Sequence, residues 1–169
     1  MEKVQPVDLT ASEISVRLGA TWLDPGYIRQ FIFETLDTSR RARWDIKVHY
    51  SRITGEWRIE GKSKDSYNVK AYSTYGTSRA SAYDIIESSL NLKDVRIFDY
   101  QYDPDGRRVA VLNKKETAIA HGKQELLKEA ISEWIWKDPE RLEKICKAYN
   151  ILFNSNRPPE NDRSHINFS

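Results

Sequence analysis

Apolar residues recur at helical spacing near the start of the chain. The positions concerned are Ile28, Phe31, Ile32 and Leu36. They follow Asp24-Pro25, which combines an N-cap residue with a proline suited to the first helical position. This pattern predicts a helix that ends near Asp37. Upstream, Thr10-Ala-Ser-Glu13 has the form of a capping box and predicts a short helix over about residues 11–18.

Strict alternation of apolar and polar residues follows and predicts a β-hairpin. The alternating apolar positions are Trp44, Ile46, Val48, Tyr50, Trp57 and Ile59. A two-residue turn at Thr54-Gly55 would pair Tyr50 with Ile59, whereas a three-residue turn with a glycine bulge would place Tyr50 opposite Arg58. The apolar pattern favours the first register. A third extended segment is predicted over residues 67–72.

Turn residues mark a second hairpin in the middle of the chain. Residues 95–102 and 107–112 flank Asp103-Pro104-Asp105-Gly106, where proline presets φ and glycine accepts a positive φ. Between the two hairpins, a helix is predicted to open at Thr77-Ser78 and to close over residues 91–94.

Two helices are predicted at the C-terminal end. Asn113 caps the first, and Asp138-Pro139 ends it and begins the second. The apolar stripe of the first helix comprises Ala118, Ile119, Leu126, Leu127, Ala130, Ile131, Trp134 and Ile135. The inward residues of the second are Leu142, Ile145, Cys146 and Tyr149.

These elements predict a single α/β (α+β) domain over residues 1–153. Its sheet would be mixed or mainly antiparallel and built from two hairpins, with helices packed on it and a C-terminal helical pair. From Asn154 onward the composition is polar and includes Pro158-Pro159, so residues 154–169 are predicted to form a linker.

Composition narrows the class of protein. The 169 residues are 39% hydrophobic and 31% charged, as in an ordinary soluble globular domain. The one cysteine, Cys146, excludes internal disulfides and zinc clusters and suits a reducing cytosol. The N-terminus lacks the apolar core of a signal peptide, and no run of apolar residues is long enough to span a membrane. We therefore expect a cytoplasmic protein without membrane contact. Phosphate-binding and dinucleotide-binding glycine motifs are missing, and no cofactor is predicted.

Charge is distributed unevenly. Residues 40–70 hold nine Lys or Arg against four Asp or Glu, and Tyr67 lies in the same stretch. Cations at phosphate spacing beside aromatic rings are typical of a nucleic-acid surface. The candidate DNA-binding residues are Arg40, Arg41, Arg43, Lys47, Arg58, Lys62 and Lys64. The first three lie in a segment without apolar periodicity, which predicts a mobile loop. The alternative is a solvated hairpin whose cations improve solubility and whose tyrosines fill the core.

Two further constellations suggest chemistry or contacts. Asp45, Glu60 and Lys62 have the D…ExK order of metal-dependent nucleases, with cross-strand ion pairing as the alternative. Trp134 and Trp136 lie two residues apart on a helix, so both cannot be buried against one partner. One of them would mark an interface with another domain, or both belong to a corner of the core.

Several stretches resemble one region of very large proteins of phages, conjugative elements and their bacterial hosts. The similar segments are SEISVRLGATWLDPGYIRQFIFE, TGEWRIEGKS, YGTSRASAYDIIESSLNLKDVRIFD, VLNKKETAIAHGKQELLKEAISEWIWKDPERLEKICKAYN and FNSNRPPENDRSHINFS. Those proteins join an adenine-specific DNA methyltransferase-like part to an SNF2-type helicase part, a setting of DNA modification or restriction. The resemblance spans about Asp8 to Ser169 and implies that this region lies between the two parts, with the helicase beyond Ser169.

The resemblance transfers no catalytic residue. The methyltransferase D/N-P-P-Y/F/W motif, the phosphate loop and the D-E-x-H box are all missing from the sequence. The expected function is therefore a non-catalytic DNA-contacting or interdomain module of a methyltransferase-helicase polypeptide. Its expected partners are DNA, bound weakly and without sequence preference, and the neighbouring parts of the same polypeptide. Two alternatives are a protein scaffold that docks the helicase through Trp134 or Trp136, and a metal-dependent nuclease that uses Asp45, Glu60 and Lys62.

Overall fold

The computed structural model describes residues 24–155 and has the predicted mixed α+β architecture. Its helices are α1 (Pro25–Leu36), α2 (Ala82–Leu90), α3 (Lys114–Lys137) and α4 (Pro139–Ser155). Its strands are β1 (Lys47–Ser51), β2 (Glu56–Glu60), β3 (Phe98–Tyr102) and β4 (Arg108–Leu112). A 3₁₀ turn (Ala42–Trp44) and a π-helical turn (Lys70–Thr74) lie between them. The helix predicted over residues 11–18 lies outside the described residues.

Helix α1 forms as its sequence predicts. The Asp24 carboxylate accepts a hydrogen bond from the Gly26 amide at 2.9 Å, and Pro25 occupies the first turn. Asp37 ends the helix with a left-handed φ of 51°. The buried residues are the four predicted ones, Ile28, Phe31, Ile32 and Leu36. They lie in a core shared with β1, β2, α2 and α3.

The first hairpin has a register that neither predicted turn allows. β1 and β2 are antiparallel, with Tyr50 opposite Trp57 and Val48 opposite Ile59. The loop therefore contains the four residues 52–55, and both predicted pairings of Tyr50 are wrong. Since the shift from the favoured register is an even number of residues, the apolar side chains still share one face.

Helix α2 covers the outer edge of β2. The Asn91 side chain accepts a hydrogen bond from the Trp57 amide at 2.8 Å and donates one to the Trp57 carbonyl at 3.0 Å. The Glu87 carboxylate accepts from the Ile59 amide at 2.8 Å. These two side chains replace the next strand, so the ladder ends at β2 with these backbone groups paired.

The segment between the hairpins is helical rather than extended. Residues 70–72 of the predicted third strand lie in the π-helical turn, and Tyr67 lies in the turn before it, because the Asn68 side chain accepts from the Lys70 amide at 2.9 Å and starts a turn there. Helix α2 begins later than predicted. Its N-cap is Ser81, which forms a capping box with Asp84, whereas Thr77 forms a separate turn with Ala80.

The second hairpin closes as predicted. The Gly106 amide donates to the Asp103 carbonyl at 2.9 Å, and Gly106 has a φ of 79°. β3 and β4 form a second antiparallel ladder, separate from the first, with Tyr100 opposite Ala110. Every residue of β4 is exposed. The hairpin therefore extends from the body of the domain.

Helix α3 buries a different stripe in its first half. The buried residues are Thr117, Ala120, Gln124, Leu127, Ile131, Trp134 and Ile135. Ala118, Ile119 and Leu126, predicted to be inward, are exposed. Two polar residues take the core positions because each finds partners there: the Thr117 hydroxyl accepts from the Ile97 amide at 2.9 Å, and the Gln124 amide donates to the Ser89 hydroxyl at 2.9 Å.

Helix α4 begins at the predicted break. The Asp138 carboxylate accepts from the Glu140 amide at 3.0 Å, as an N-cap does. Ile145 is buried, and Leu142 and Cys146 pack against the core. The helix continues to Ser155, so its last two residues belong to the predicted linker segment, whose remainder lies outside the described residues.

Candidate nucleic-acid interface

Exposed cations and aromatic rings meet where the segment after α1 approaches the segment after β2. Arg40, Arg41 and Lys64 are exposed, and no ion pair within residues 24–155 involves them. Trp44 is 81% exposed and Tyr67 is 98% exposed. Arg41, Lys64 and Tyr67 line one shallow depression. We call these five residues the basic corner.

A buried polar network holds the two segments of the basic corner together. Asp65 is only 6% exposed and accepts from the Tyr83 hydroxyl at 2.7 Å, the Asn68 amide at 2.6 Å and the Ser39 hydroxyl at 3.1 Å. The Thr38 hydroxyl bonds to the Tyr83 hydroxyl at 2.9 Å. Both segments are thereby fixed to α2.

Tyr83 acts in this network as a permanent donor. Burial raises the pKa of its phenol far above the usual value, and the nearby Asp65 carboxylate raises it further. The hydroxyl therefore keeps its proton at neutral pH and compensates the buried carboxylate of Asp65.

Arg43 differs from the two arginines before it. Its Nε donates to the Thr38 carbonyl at 2.9 Å, and its guanidinium lies 5.3 Å from the centre of the Phe33 ring. Arg29 also donates to the Arg43 carbonyl, at 2.8 Å. These contacts hold Arg43 in the 3₁₀ turn, and Arg40 and Arg41 lie in the turn that precedes it. The predicted mobility of this segment stays a prediction.

The predicted cations of the first hairpin lie in a nearly neutral environment. Lys47 and Arg58 are exposed on the outer face of β1 and β2. Glu56 and Glu60 lie on the same face, and the Glu60 carboxylate lies 3.0 Å from His49. Two cations are thus matched by two carboxylates, which weakens any attraction for phosphate.

Lys62 forms ion pairs within the domain. Its ammonium lies 2.6 Å from Glu87 and 3.5 Å from Asp84, both on α2. Partial burial opposes its charge, but the hydrogen bond and negative charge of Glu87, with Asp84, raise its pKa overall. Lys62 therefore stabilises the contact between the first hairpin and α2.

The three residues with nuclease order have separate environments. Asp45 lines the depression of the basic corner, Glu60 pairs with His49, and Lys62 pairs with α2. Within residues 24–155, no cluster of three or more His, Cys, Asp or Glu side chains is arranged to hold a metal ion. This geometry gives the nuclease alternative no support.

Acidic residues limit the attraction of the basic corner for phosphate. Asp37, Asp45 and the buried Asp65 line the same depression as Arg41 and Lys64. The depression therefore carries no net positive charge, because three carboxylates line it together with the two cations Arg41 and Lys64. Such a surface favours weak binding.

The two tryptophans of α3 point to different sides, as their spacing requires. Trp134 is buried, donates from Nε1 to Glu34 at 2.9 Å, and lies under the guanidinium of Arg141 at 3.6 Å. It belongs to the corner of the core. Trp136 is 56% exposed and is the one of the pair that a partner could reach.

Two exposed aromatic residues lie outside the strands that the sequence pattern predicts for them. Trp44 fits the alternation of β1 but lies in the 3₁₀ turn before the strand, and Tyr67 lies in a turn rather than a strand. The signal for Trp44 was its position directly after three arginines of a polar segment, which is unusual for the first residue of a buried strand.

Similarity assigns the chain to a family without giving it a function. Residues 17–155 match the model of the family described as Domain of unknown function (DUF8437), and the chain belongs to that family. No curated protein and no solved structure matches the chain. Among the helices of the described part, none is long and apolar enough to cross a membrane.

Proposed function

We propose that this DUF8437 domain is a non-catalytic module that contacts DNA through the basic corner. The observation that supports it is the combination of Arg40, Arg41 and Lys64, which lack ion-pair partners in the described part of the chain, with two almost fully exposed aromatic rings. The proposed setting is a cytoplasmic polypeptide with methyltransferase-like and SNF2-type helicase parts, as the resemblance of the sequence implies.

The chemistry of the basic corner suits the DNA backbone. Lysine and arginine side chains neutralise phosphates, and exposed aromatic rings stack on unpaired bases without selecting among them. The Asp65 network already orders the two segments, so little conformational entropy of the backbone is lost on binding. Three phosphate contacts would give duplex binding a log-log salt slope of about −2.7.

The carboxylates beside the cations set the strength of binding. Asp45 is exposed and lines the same depression as Arg41 and Lys64. We expect weak, non-specific binding because this charge repels phosphate. Removal of the charge in Asp45→Asn should therefore strengthen binding.

Salt-dependent titration of labelled DNA tests the proposal. The variant with Arg40, Arg41 and Lys64 changed to Ala should bind weakly and lose about one unit of salt slope for each lost contact. The matched control changes Lys137, Lys144 and Lys147, three exposed lysines of α3 and α4. Arg141 is unsuitable as a control because it is buried and donates to the Trp134 carbonyl at 2.6 Å. Equal weakening by both triple variants, or binding that ignores salt, would contradict the proposal.

A second candidate function is an interdomain scaffold. The exposed indole of Trp136, at the C-terminal end of α3, favours it. If Trp136→Ala weakens binding to the helicase part while the basic corner variant leaves DNA binding unchanged, the scaffold is the better account.

A further inference from the structure

The β3–β4 hairpin presents apolar side chains on both of its faces. One face carries Phe98, Tyr100 and Leu112, and the other carries Val109 and Val111, all of them exposed. A two-stranded hairpin on its own is marginally stable in water, and contiguous exposed apolar surface marks an interaction site. The hairpin therefore offers a surface that a partner could cover.

The outer edge of β4 is open. Backbone bonds from Asp103 to Arg107 and from Asn113 to Ile97 flank the ladder, so odd-numbered residues make its cross-strand bonds. The even-numbered residues of β4 direct their N–H and C=O groups away from β3. These residues are Arg108, Ala110 and Leu112, and within residues 24–155 no backbone hydrogen bond outside the strand involves them.

The outer edge of β3 is partly closed. Arg79 donates from Nη2 to the Phe98 carbonyl at 2.8 Å and forms an ion pair with Asp99 at 3.0 Å. Its guanidinium occupies the position where another strand would bond to the start of β3. An added strand therefore fits β4 better than β3.

We propose that β4 pairs in antiparallel fashion with β4 of a second copy of this chain, about a two-fold axis at Ala110. In this register Ala110 lies opposite its own equivalent, and Arg108 lies opposite Leu112 of the second copy. The open backbone groups of each copy then bond to those of the other. No charged side chain of β4 faces a like charge.

The same register brings apolar side chains together on both faces of the combined sheet. Val109 of each copy lies beside Val111 of the other, which gives a cluster of four valines. On the opposite face, Phe98 and Tyr100 of both copies border the two Ala110 residues. Both faces gain neighbours that the isolated hairpin lacks.

Charges beyond the paired strands are complementary. The acidic turn of one hairpin, with Asp103 and Asp105, reaches past β4 of the other copy to the first turn of its α3. That turn begins with Lys114 and Lys115 and carries the positive end of the helix dipole. The two aspartates would meet the two lysines of the second copy, and the open backbone edge of β4 is complementary to itself, so a second copy is the occupant that these features favour.

Measurement of molar mass by sedimentation tests the pairing, independently of DNA binding. The full chain should reach about twice its 19.8 kDa mass at tens of micromolar. Ala110→Pro removes an outward amide without breaking the ladder within the hairpin, and should give the monomer mass. Tyr102→Pro, the matched change on the β3 edge outside the proposed contacts, should still dimerise. A monomer at every concentration, or equal dissociation by both prolines, would overturn the proposal.

A cross-link fixes the register. In a Cys146→Ala background, Ala110→Cys places two sulfurs on residues whose Cα atoms would lie about 5.5 Å apart, within disulfide range. Oxidation should give a covalent dimer, whereas Tyr102→Cys should give none. Equal cross-linking by both variants, or none by Ala110→Cys, would overturn the proposed register and leave the hairpin for a different partner.

Discussion

The two hairpins are both antiparallel pairs of five-residue strands, and they have opposite environments. β1–β2 buries one face in the core, and Glu87 of α2 and its C-cap residue Asn91 pair the outer edge of β2. β3–β4 is exposed on both faces, and in the described part of the chain no side chain pairs the outer edge of β4. The difference shows that local sequence, through alternation in one case and turn residues in the other, specifies a hairpin, while the neighbouring elements determine whether one of its faces is buried.

Two glycines should show the largest difference between the hairpins. Gly61, after β2, has a φ of 77°, and a Cβ there would lie 2.4 Å from the Asp45 carbonyl oxygen. Gly106, in the β3–β4 turn, has a φ of 79°, but a Cβ would meet nothing within 4 Å. Gly61→Ala should lower the free energy of unfolding by about 3 kcal/mol, since it adds a backbone clash to strain. Gly106→Ala should cost about 1 kcal/mol. Urea denaturation measures both, and equal losses would break the comparison.

Removal of the Asn91 side chain, which pairs the outer edge of β2, should have the next largest effect on stability. Asn91→Ala leaves the amide and the carbonyl of Trp57 without their partner. We expect a loss of about 2 kcal/mol in the free energy of unfolding, because buried backbone groups lose their hydrogen bonds. Thermal unfolding measures this. The matched change on β3, Gln101→Ala, should alter stability by less than about 0.5 kcal/mol. A smaller loss at Asn91 than at Gln101 would contradict the account.

Alkaline pH should weaken the first hairpin's contact with α2 by a smaller amount. The pKa of Lys62 is raised above its ordinary 10.5 in the folded chain. Its stabilising contribution is therefore complete below about pH 10.5 and is lost as the pH rises through the raised pKa. Relative to Lys62→Gln, the unchanged chain should lose stability over that range. Parallel stability curves for the two proteins would show that the ion pair with Glu87 contributes nothing.

Local signals in the sequence predicted the elements, and tertiary contacts determined the rest. Asp24-Pro25, Asn113 and the Asp103–Gly106 turn act within a few residues, so their structures followed from the sequence. The hairpin register and the buried stripe of α3 could not be predicted in this way, because they depend on hydrogen bonds that Asn91 and Gln124 form with residues more than thirty positions away in sequence.

The candidate site was predictable only in part. Arg40, Arg41 and Lys64 are exposed, and within residues 24–155 no ion pair involves them. Arg43 donates a hydrogen bond to the Thr38 carbonyl, and Lys62 forms an ion pair with Glu87. The distribution of charge along the sequence does not reveal these contacts. The count of charges along the sequence is therefore larger than the number of exposed cations without an ion-pair partner in the described part of the chain.

Amide hydrogen exchange tests the central contrast most directly. The amides of Trp57 and Ala110 both point away from their own hairpin, but α2 covers only the first. At low micromolar concentration, the account predicts slow exchange at Trp57 and fast exchange at Ala110, with Ala110 slowing as the concentration rises and a second copy covers it. Exchange at Ala110 as slow as at Trp57 in dilute solution, or fast at every concentration, would contradict the account.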